Sequence, residues 1–519
     1  MLLDYRRFMS EAIATFALEQ RAIISNYSAA PVTSNSPGGL WSKAMDSNAF
    51  FPQLDFVGYD NYPVWGGSLE PTAPPAVALA ADHMRGMGRY DREAHAFAAF
   101  AVIEQLIGAQ GHDIIGYTPR PQQAVAWSAQ MLAHGAAYIS FFRWRAAAFG
   151  QEEFCYGVLD QTTPRGTGRK LLEAKQVFDL MSSAPALWTR PLAAKVAVLY
   201  DFNNVYAWQA QPQSTAFDFG EELLRLYTPF WRHGVPIDVI STDRVISGEV
   251  PLDPYDVLLL PVPMLVHDTL VLQLGKWVEH GSRRRSLWIG YRSDVKDHAT
   301  NQMRTQPSRL AALAGVAVME IESLLIPRSS DLVAGDHALA FDAEVSEGRG
   351  SRVQGEDSEG RGSRVQGEDS EGLHEHTTRP MPTSRATVWR EGLALLGSDT
   401  QPIWRYDDDF FGALNLSAVT RRRLASGGEV VYVGCGIEAA GLQQLATSTL
   451  SRVGHLAHAA PPSHPDSVEL VRRGEHDVWI NHGNRSWSMP DGHLLLPYEV
   501  RITNSTSSQP DELGRGAGL

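Results

Sequence analysis

The chain has 519 residues, 44% hydrophobic and 20% charged, which is longer than one ordinary domain and normal for globular material. A net charge of −14 and a pI near 5.6 exclude nucleic acid and anionic membrane surfaces as natural partners, because both would repel the protein. The only two cysteines, Cys155 and Cys435, lie far apart, make neither a disulfide framework nor a metal cluster, and fit a reducing, cytoplasmic compartment.

The opening stretch "MLLDYRRFMSEAIATF" predicts an amphipathic helix, with Leu3, Phe8, Ile13 and Phe16 set among Asp4, Arg6, Arg7 and Glu11. It lacks the basic, apolar and small-residue order of a signal peptide, and no later apolar run approaches the roughly 20 residues of a membrane span. "APVTSN" (30–35) and "LDFVGYDNYP" (54–63) read as strands, followed by a helix over 76–90. "AFAAFAVIEQ" (96–105) is a third strand, 121–136 a helix and "AYISFFRWR" (137–145) a fourth strand. Strands separated by helices imply parallel pairing, and apolar runs without alternation imply sheets covered on both faces. Polar and aromatic residues gather at the strand ends: Asn35; Asp60, Asn61 and Tyr62; Glu104 and Gln105; Arg143, Trp144 and Arg145. In an α/β barrel that end of the strands is the face on which active sites are built.

A linker-like "APALWTRPL" (184–192) precedes a second alternating set. Its strands are expected at 196–202, 235–241, 255–263 and 285–291, with helices at 220–231 and 270–280, as in a doubly wound domain of flavodoxin or amidotransferase type. An amidotransferase needs a nucleophilic cysteine at a strand-to-helix elbow; neither cysteine lies among these strands, so this domain reads as non-catalytic. Residues 346–372 carry "SEGRGSRVQGED" twice and the start of a third copy, too poor in apolar residues to offset chain entropy, and predict an unstructured loop. Strand patterning resumes in "ATVWREGLALLGS" and "GGEVVYVGCG" (427–436), and from about 467 the chain reads as a small all-β module with a frayed tail.

Glu104 ends an otherwise apolar strand, and from its position alone it is a nucleophile, a general base, a metal ligand or a salt-bridge partner. No His/Cys spacing supports a metal site, and no glycine-rich cradle supports a phosphate site. Tyr62, Trp65, Phe142 and Trp144 offer flat apolar faces for a pyranose, and Asn35, Asp60, Arg145 and Glu152 offer partners for its hydroxyls. For Phe142 a core position is the stronger reading.

"EQLIGAQG", "PRPQQAVAWSAQMLAHGA" and "FFRWRAAAFGQEEF", with "PVTSN", "GYDNYP" and "LDYRRFMSE" upstream, resemble glycoside hydrolase family 42, the bacterial β-galactosidases, in order and spacing. "VAVLYDFNNVYAWQ" through "VLLLPVPMLV" is similar to that family's trimerisation domain, so the resemblance covers nearly the whole chain apart from 346–372. It implies the C-terminal half of a (β/α)8 barrel at 1–185, a trimerisation domain at 194–436 and a C-terminal β domain at 460–505. It further implies a retaining hydrolase of terminal β-D-galactosides or galacto-oligosaccharides, homotrimeric and cofactor-free, with Glu104 as nucleophile and Asn35, Asp60, Tyr62, Trp144 and Glu152 lining the sugar site. The family's acid/base glutamate follows an asparagine, and no Asn-Glu pair occurs in this sequence. By the resemblance Met1 falls inside a family helix, after the first four βα units, and the chain as written is expected to turn over little or no substrate. His112 and Cys155 stand where the family commonly has tryptophan and histidine. A different class of function, non-catalytic carbohydrate binding or oligomer assembly, is the alternative these departures raise.

Overall fold

The computed structural model describes residues 1–37, 45–159, 168–281, 283–324, 330–334, 384–456 and 462–505; the tandem repeat at 346–372 and the tail beyond 505 lie outside the described residues. The chain opens with α1 (Leu2–Ser25), which packs through Leu3, Ser10 and Ala14. Of the apolar residues of that amphipathic pattern, Phe8, Ile13 and Phe16 face outward, 63%, 42% and 65% exposed. The reason lies in the tethering: Arg6 and Arg7 donate to Gln209 (2.8 Å) and Asn203 (2.7 Å), fixing the polar face inward, where small Ser10 and Ala14 permit close approach.

Four parallel strands follow in one sheet, β1 (Asn35–Pro37), β2 (Gly58–Asn61), β3 (Phe100–Leu106) and β4 (Ala136–Phe142), in that spatial order. The strands expected at 54–63, 96–105 and 137–145 are present, each shorter than the stretch read for it, whereas the strand expected at 30–35 meets β1 at Asn35 alone. β1 begins on Asn35 rather than ending there. The run 96–105 is interrupted at Ala98 and Ala99: Ala96–Phe97 pairs antiparallel with Tyr90–Asp91, and β3 starts at Phe100. Between the strands lie α2 (Pro74–Met87) and α3 (Gln123–Ala133), and α4 (Arg169–Ser183) follows. Every residue of α3 is buried, and Val125, Ala126 and Ala129 share a core with Phe100, Val102 and Ile139 of β3 and β4.

The second sheet holds five parallel strands, in the spatial order Ile237–Ser241, Val196–Tyr200, Val257–Leu260, Ser286–Gly290 and Glu429–Val433. All of their residues are buried, as near-continuous apolar runs require. The sheet continues beyond Glu429–Val433 into antiparallel strands that include Ser417–Arg423, Thr400–Tyr406, Ser384–Leu395 and Val316–Ser323. A separate three-stranded antiparallel sheet, Val468–Arg473, His476–Asn481 and Val500–Asn504, closes the described chain.

The cores cross the sequence segments. Leu3, Ala78 and Leu79 join the core of the second sheet, while Val471, Val478 and Ile480 of the last sheet join that of the first. In α2, a Cβ at Gly86 would overlap the Val239 carbonyl, so glycine is what lets α2 lie against the second sheet. At this junction Glu469, fully buried, accepts from His134 Nε2 (2.8 Å) and Trp231 Nε1 (2.6 Å) on one oxygen, and from Gln130 Nε2 (2.9 Å) and His482 Nε2 (2.8 Å) on the other. His134 Nδ1 donates to Asp82 (2.8 Å), which also accepts from Arg85 (2.5 Å) and Tyr227 (2.7 Å). Among the described residues no helix is long and apolar enough to cross a membrane.

Candidate active site

The site is built where β2 and β3 end. Their register slips by one residue between Tyr59 and Asp60, so Asp60 pairs with Glu104 and two carboxyls stand side by side on neighbouring strands. The strand leading up to them is closed by apolar packing, with Phe100 and Val102 buried, whereas Glu104 itself is half-buried. That arrangement places a carboxylate at an open strand end on an apolar stem, which is what the sequence "AFAVIEQ" implies.

Both Glu104 oxygens have a donor. Tyr62 Oη donates to Oε2 (2.7 Å) and Asn35 Nδ2 to Oε1 (3.2 Å). The same Asn35 amide contacts both oxygens of Asp60, at 3.0 and 3.1 Å, so one side chain spaces the two acids. Burial raises the Asp60 carboxyl to about 6; the Asn35 hydrogen bond opposes this and the neighbouring Glu104 adds to it. Burial, then the hydrogen bond to Glu104, pushes the Tyr62 phenol far above its ordinary range, which keeps it a neutral donor. One layer further in, Asn61 Nδ2 donates to Gln105 Oε1 (3.0 Å) and ties the two strand ends together.

Aromatic rings form one wall. Tyr62 stands edge-on to Trp65 (5.1 Å between centroids) and to Phe142 (6.3 Å), and Trp65 stands edge-on to His112 (5.2 Å). Phe142, read as core from sequence, is half-buried on this wall. Of the predicted lining residues, Asn35, Asp60 and Tyr62 meet Glu104 directly. Trp144 is 63% exposed and Glu152 is exposed and paired with Arg143 (2.8 Å), so neither joins that hydrogen-bonded group. Cys155, fully buried, has its thiol raised by burial, which outweighs the hydrogen-bonding contact with Gly111 (3.5 Å), with smaller raising contributions from Glu152 and Glu104 and a lowering one from Arg143; it is a packed, inert thiol. Gln110, overlooked in the sequence, donates to the carbonyls of Phe142 (3.2 Å) and Tyr156 (3.1 Å) and pins the loop after β3 to the loop after β4. Its signal was an amide inside the small-residue run "IGAQG". No group of three or more His, Cys, Asp or Glu side chains fit to hold a metal occurs among the described residues.

The parallel α/β sheet with an acid at its strand end and aromatic rings beside it has the layout of the barrel-type glycoside hydrolases. Residues 1–184 match the family model described as β-galactosidase of glycoside hydrolase family 42, and residues 194–344 match the β-galactosidase trimerisation domain. The chain belongs to glycoside hydrolase family 42. It is similar to β-galactosidase BgaA of Clostridium cellulovorans, 29% identical over 332 residues that cover 62% of this chain and 46% of the relative. It is likewise similar to β-galactosidase BgaH of Haloferax lucentense, 29% identical over 335 residues covering 62% and 47%. The chain thus spans about half the length of these curated relatives. Among solved structures, the β-galactosidase of a Rahnella species superposes with a TM-score of 0.76 at 20% identity, over 96% of this chain and 67% of that one. The β-galactosidase of Bacillus circulans gives 0.74 at 20% identity, over 97% and 66%. At that identity these two show the fold.

Proposed function

We propose that this chain carries the nucleophile half of a retaining β-galactosidase, with the four-stranded sheet as half of a (β/α)8 barrel. On this reading 194–436 is a flavodoxin-like trimerisation domain that holds three copies together, 460–505 is the accessory β domain, and the protein works in the cytoplasm. The single observation that carries the proposal is Glu104, half-exposed at a strand end with Tyr62 and Asn35 fixing its two oxygens.

The chemistry follows from that geometry. A glutamate carboxylate held by two donors is oriented with one lone pair free toward an incoming anomeric carbon. Glu104 displaces the glycosidic oxygen, forming an acyl–sugar bond as the bond to the aglycone breaks; water then attacks the same carbon and releases the carboxylate. Two inversions give net retention. Tyr62 and Asn35 hold the carboxylate before and after each step, and the Tyr62–Trp65–Phe142 wall, with Trp144 and Glu152 on the loop beyond β4, receives the sugar. Leaving-group protonation requires a second acid about 5–5.5 Å from the nucleophile. Asp60 is held beside Glu104 by the same amide, on the nucleophile's own side, and the sequence has no Asn-Glu pair, so the 519-residue chain is expected to cleave only substrates whose leaving group needs no proton.

The test is hydrolysis of aryl β-galactosides with graded leaving groups, followed by proton NMR. Dinitrophenyl β-galactoside should react, releasing β-galactose first, and unactivated alkyl galactosides should not. Release of α-galactose, or equal rates with the β-glucoside, would overturn the proposal. Binding of galactose with no reaction even at the dinitrophenyl substrate would favour the carbohydrate-binding alternative that the absent Asn-Glu pair supports.

A further inference from the structure

α1 (Leu2–Ser25) is fixed to the chain along one side only. Leu3, Ser10 and Ala14 are buried, Ser10 Oγ accepts from the Asp46 backbone N–H (2.8 Å), and Arg6 and Arg7 reach Gln209 and Asn203. The helix is anchored mainly by small and polar side chains, and most of its large apolar ones are left in solvent. An amphipathic helix on a closed surface has the opposite polarity.

The exposed side is ordered. Leu2, Met9, Phe16 and Ile23 recur at seven-residue spacing, with Tyr5 and Ala12 three residues after the first two, the a and d pattern of a helix that packs on another helix. Phe8 and Ile13 flank this stripe, also exposed. At about 100° per residue these side chains share an arc of about 140°. Glu19, at the next d position, is the only charged residue on the stripe.

The size of the stripe decides what can cover it. At about 200 Å² for a fully exposed large side chain, its large apolar residues, roughly half exposed, present about 750 Å². The largest apolar patch on a monomer is usually about 300–600 Å², and a stable interface buries about 800 Å² per partner. The 24 residues of α1 run about 36 Å, too long for a loop or a short peptide to cover. A second α1 matches that length and its apolar spacing.

We propose that α1 is a self-association surface, packing antiparallel against α1 of a second copy about a two-fold axis. A parallel pair would set Glu19 directly against the partner's Glu19. The antiparallel pair sets Tyr5 against the partner's Phe16 and Met9 against the partner's Ala12, and brings Glu19 to the positive N-terminal end of the other helix. The pairing is independent of the trimer proposed for 194–436: with that trimer the particle has six chains, and without it two. Two chains of charge −14 repel, so added salt strengthens the pair, the reverse of an interface held by ion pairs.

Native mass spectrometry and sedimentation velocity of the 519-residue protein, over a range of salt, test the pairing. The expected result is a particle whose mass halves in Phe16→Glu, with dissociation raised about a hundredfold or more because two-fold symmetry introduces the change twice. Phe16 is exposed, so that variant should keep the helical circular dichroism of the wild type. Leu69→Glu, an equally polar change at an exposed leucine outside α1, should leave the mass unaltered. Both native cysteines are buried, so a bismaleimide should join two Ala12→Cys chains and leave the wild type unlinked. Equal mass in the wild type and Phe16→Glu, or Ala12→Cys chains that stay unlinked, would overturn the proposal. So would sedimentation with phosphatidylcholine vesicles in place of pairing, or a complex with a different polypeptide on this face, since each names another occupant.

Discussion

Glu104 and Glu469 are both strand glutamates, and their surroundings are opposites. Glu469 is fully buried and takes four hydrogen bonds from four side chains drawn from three parts of the sequence. Glu104 is half-buried, takes two, and faces an open strand end. A carboxylate whose lone pairs are all spent is a structural tie, because nothing remains with which to attack. A carboxylate with two donors and an open side is held in orientation and keeps a lone pair for an electrophile. The difference between them is a count of donors and an access route, not residue type.

Removing each acid should therefore break different things. Glu104→Gln should cut glycosyl transfer from the dinitrophenyl galactoside on the order of 10⁴-fold, judged by the cost of removing one member of a catalytic group, while leaving the melting temperature nearly unchanged. Glu469→Ala should do the reverse: it leaves His134 buried beside an empty space and should cost about 3–5 kcal/mol in urea unfolding. If Glu469→Ala proves neutral, the junction is not held by this knot. Tyr62→Phe removes one of the two Glu104 donors and should slow transfer by about 10²-fold, read from stopped-flow release of dinitrophenolate.

The knot also carries a pH signature. Burial works against charge on His134, but Asp82 and Glu469 outweigh it and raise its pKa from 6.5 to about 9. Its contribution to stability is complete below pH 6.5 and is lost as pH rises through about 9. Glu469 is opposed by burial and driven down to about 2 by His134 and His482, so its share is complete above pH 4.5 and is lost as pH falls through about 2. Unfolding free energy from this pair should be flat between 4.5 and 6.5 and decline on either side; His134→Gln should remove the alkaline limb. The smallest effect expected concerns Asp60. Its raised carboxyl is a cost that accrues as pH climbs from 3.8 through about 6, so Asp60→Asn should stabilise the protein by about 1 kcal/mol or less above pH 6 and not at all below pH 4.

What could be read in the sequence divides along the same line. Glu104 was visible because an acid terminating an apolar run is a local pattern, and Asp60, Asn35 and Tyr62 were visible as other strand ends. The parallel strands of the second sheet and three strands of the first were found through their apolar runs, with ends misplaced wherever pairing rather than hydropathy sets the boundary; the antiparallel strands Val316–Ser323, Thr400–Tyr406 and Ser417–Arg423 were not read as strands. Ala96–Phe97 looked continuous with β3 because its partner, Tyr90–Asp91, is defined by a turn the apolar count does not register. Which face of α1 turns inward was not legible, because the polar tethers of Arg6 and Arg7 reach residues some 200 positions away. The Glu469 knot was invisible for the same reason: Glu469 meets His134 across 335 positions, and neither residue stands out in its own neighbourhood.

The central claim is that Glu104 is the nucleophile, and covalent capture tests it most directly. Dinitrophenyl 2-deoxy-2-fluoro-β-galactoside reacts through its good leaving group without an acid partner, and its glycosyl-enzyme persists long enough for digestion and mass spectrometry. One fluorogalactosyl group per chain on the peptide containing Glu104, absent in Glu104→Gln, is the predicted result; a label on any other carboxylate, or an equal label in Glu104→Gln, would contradict it.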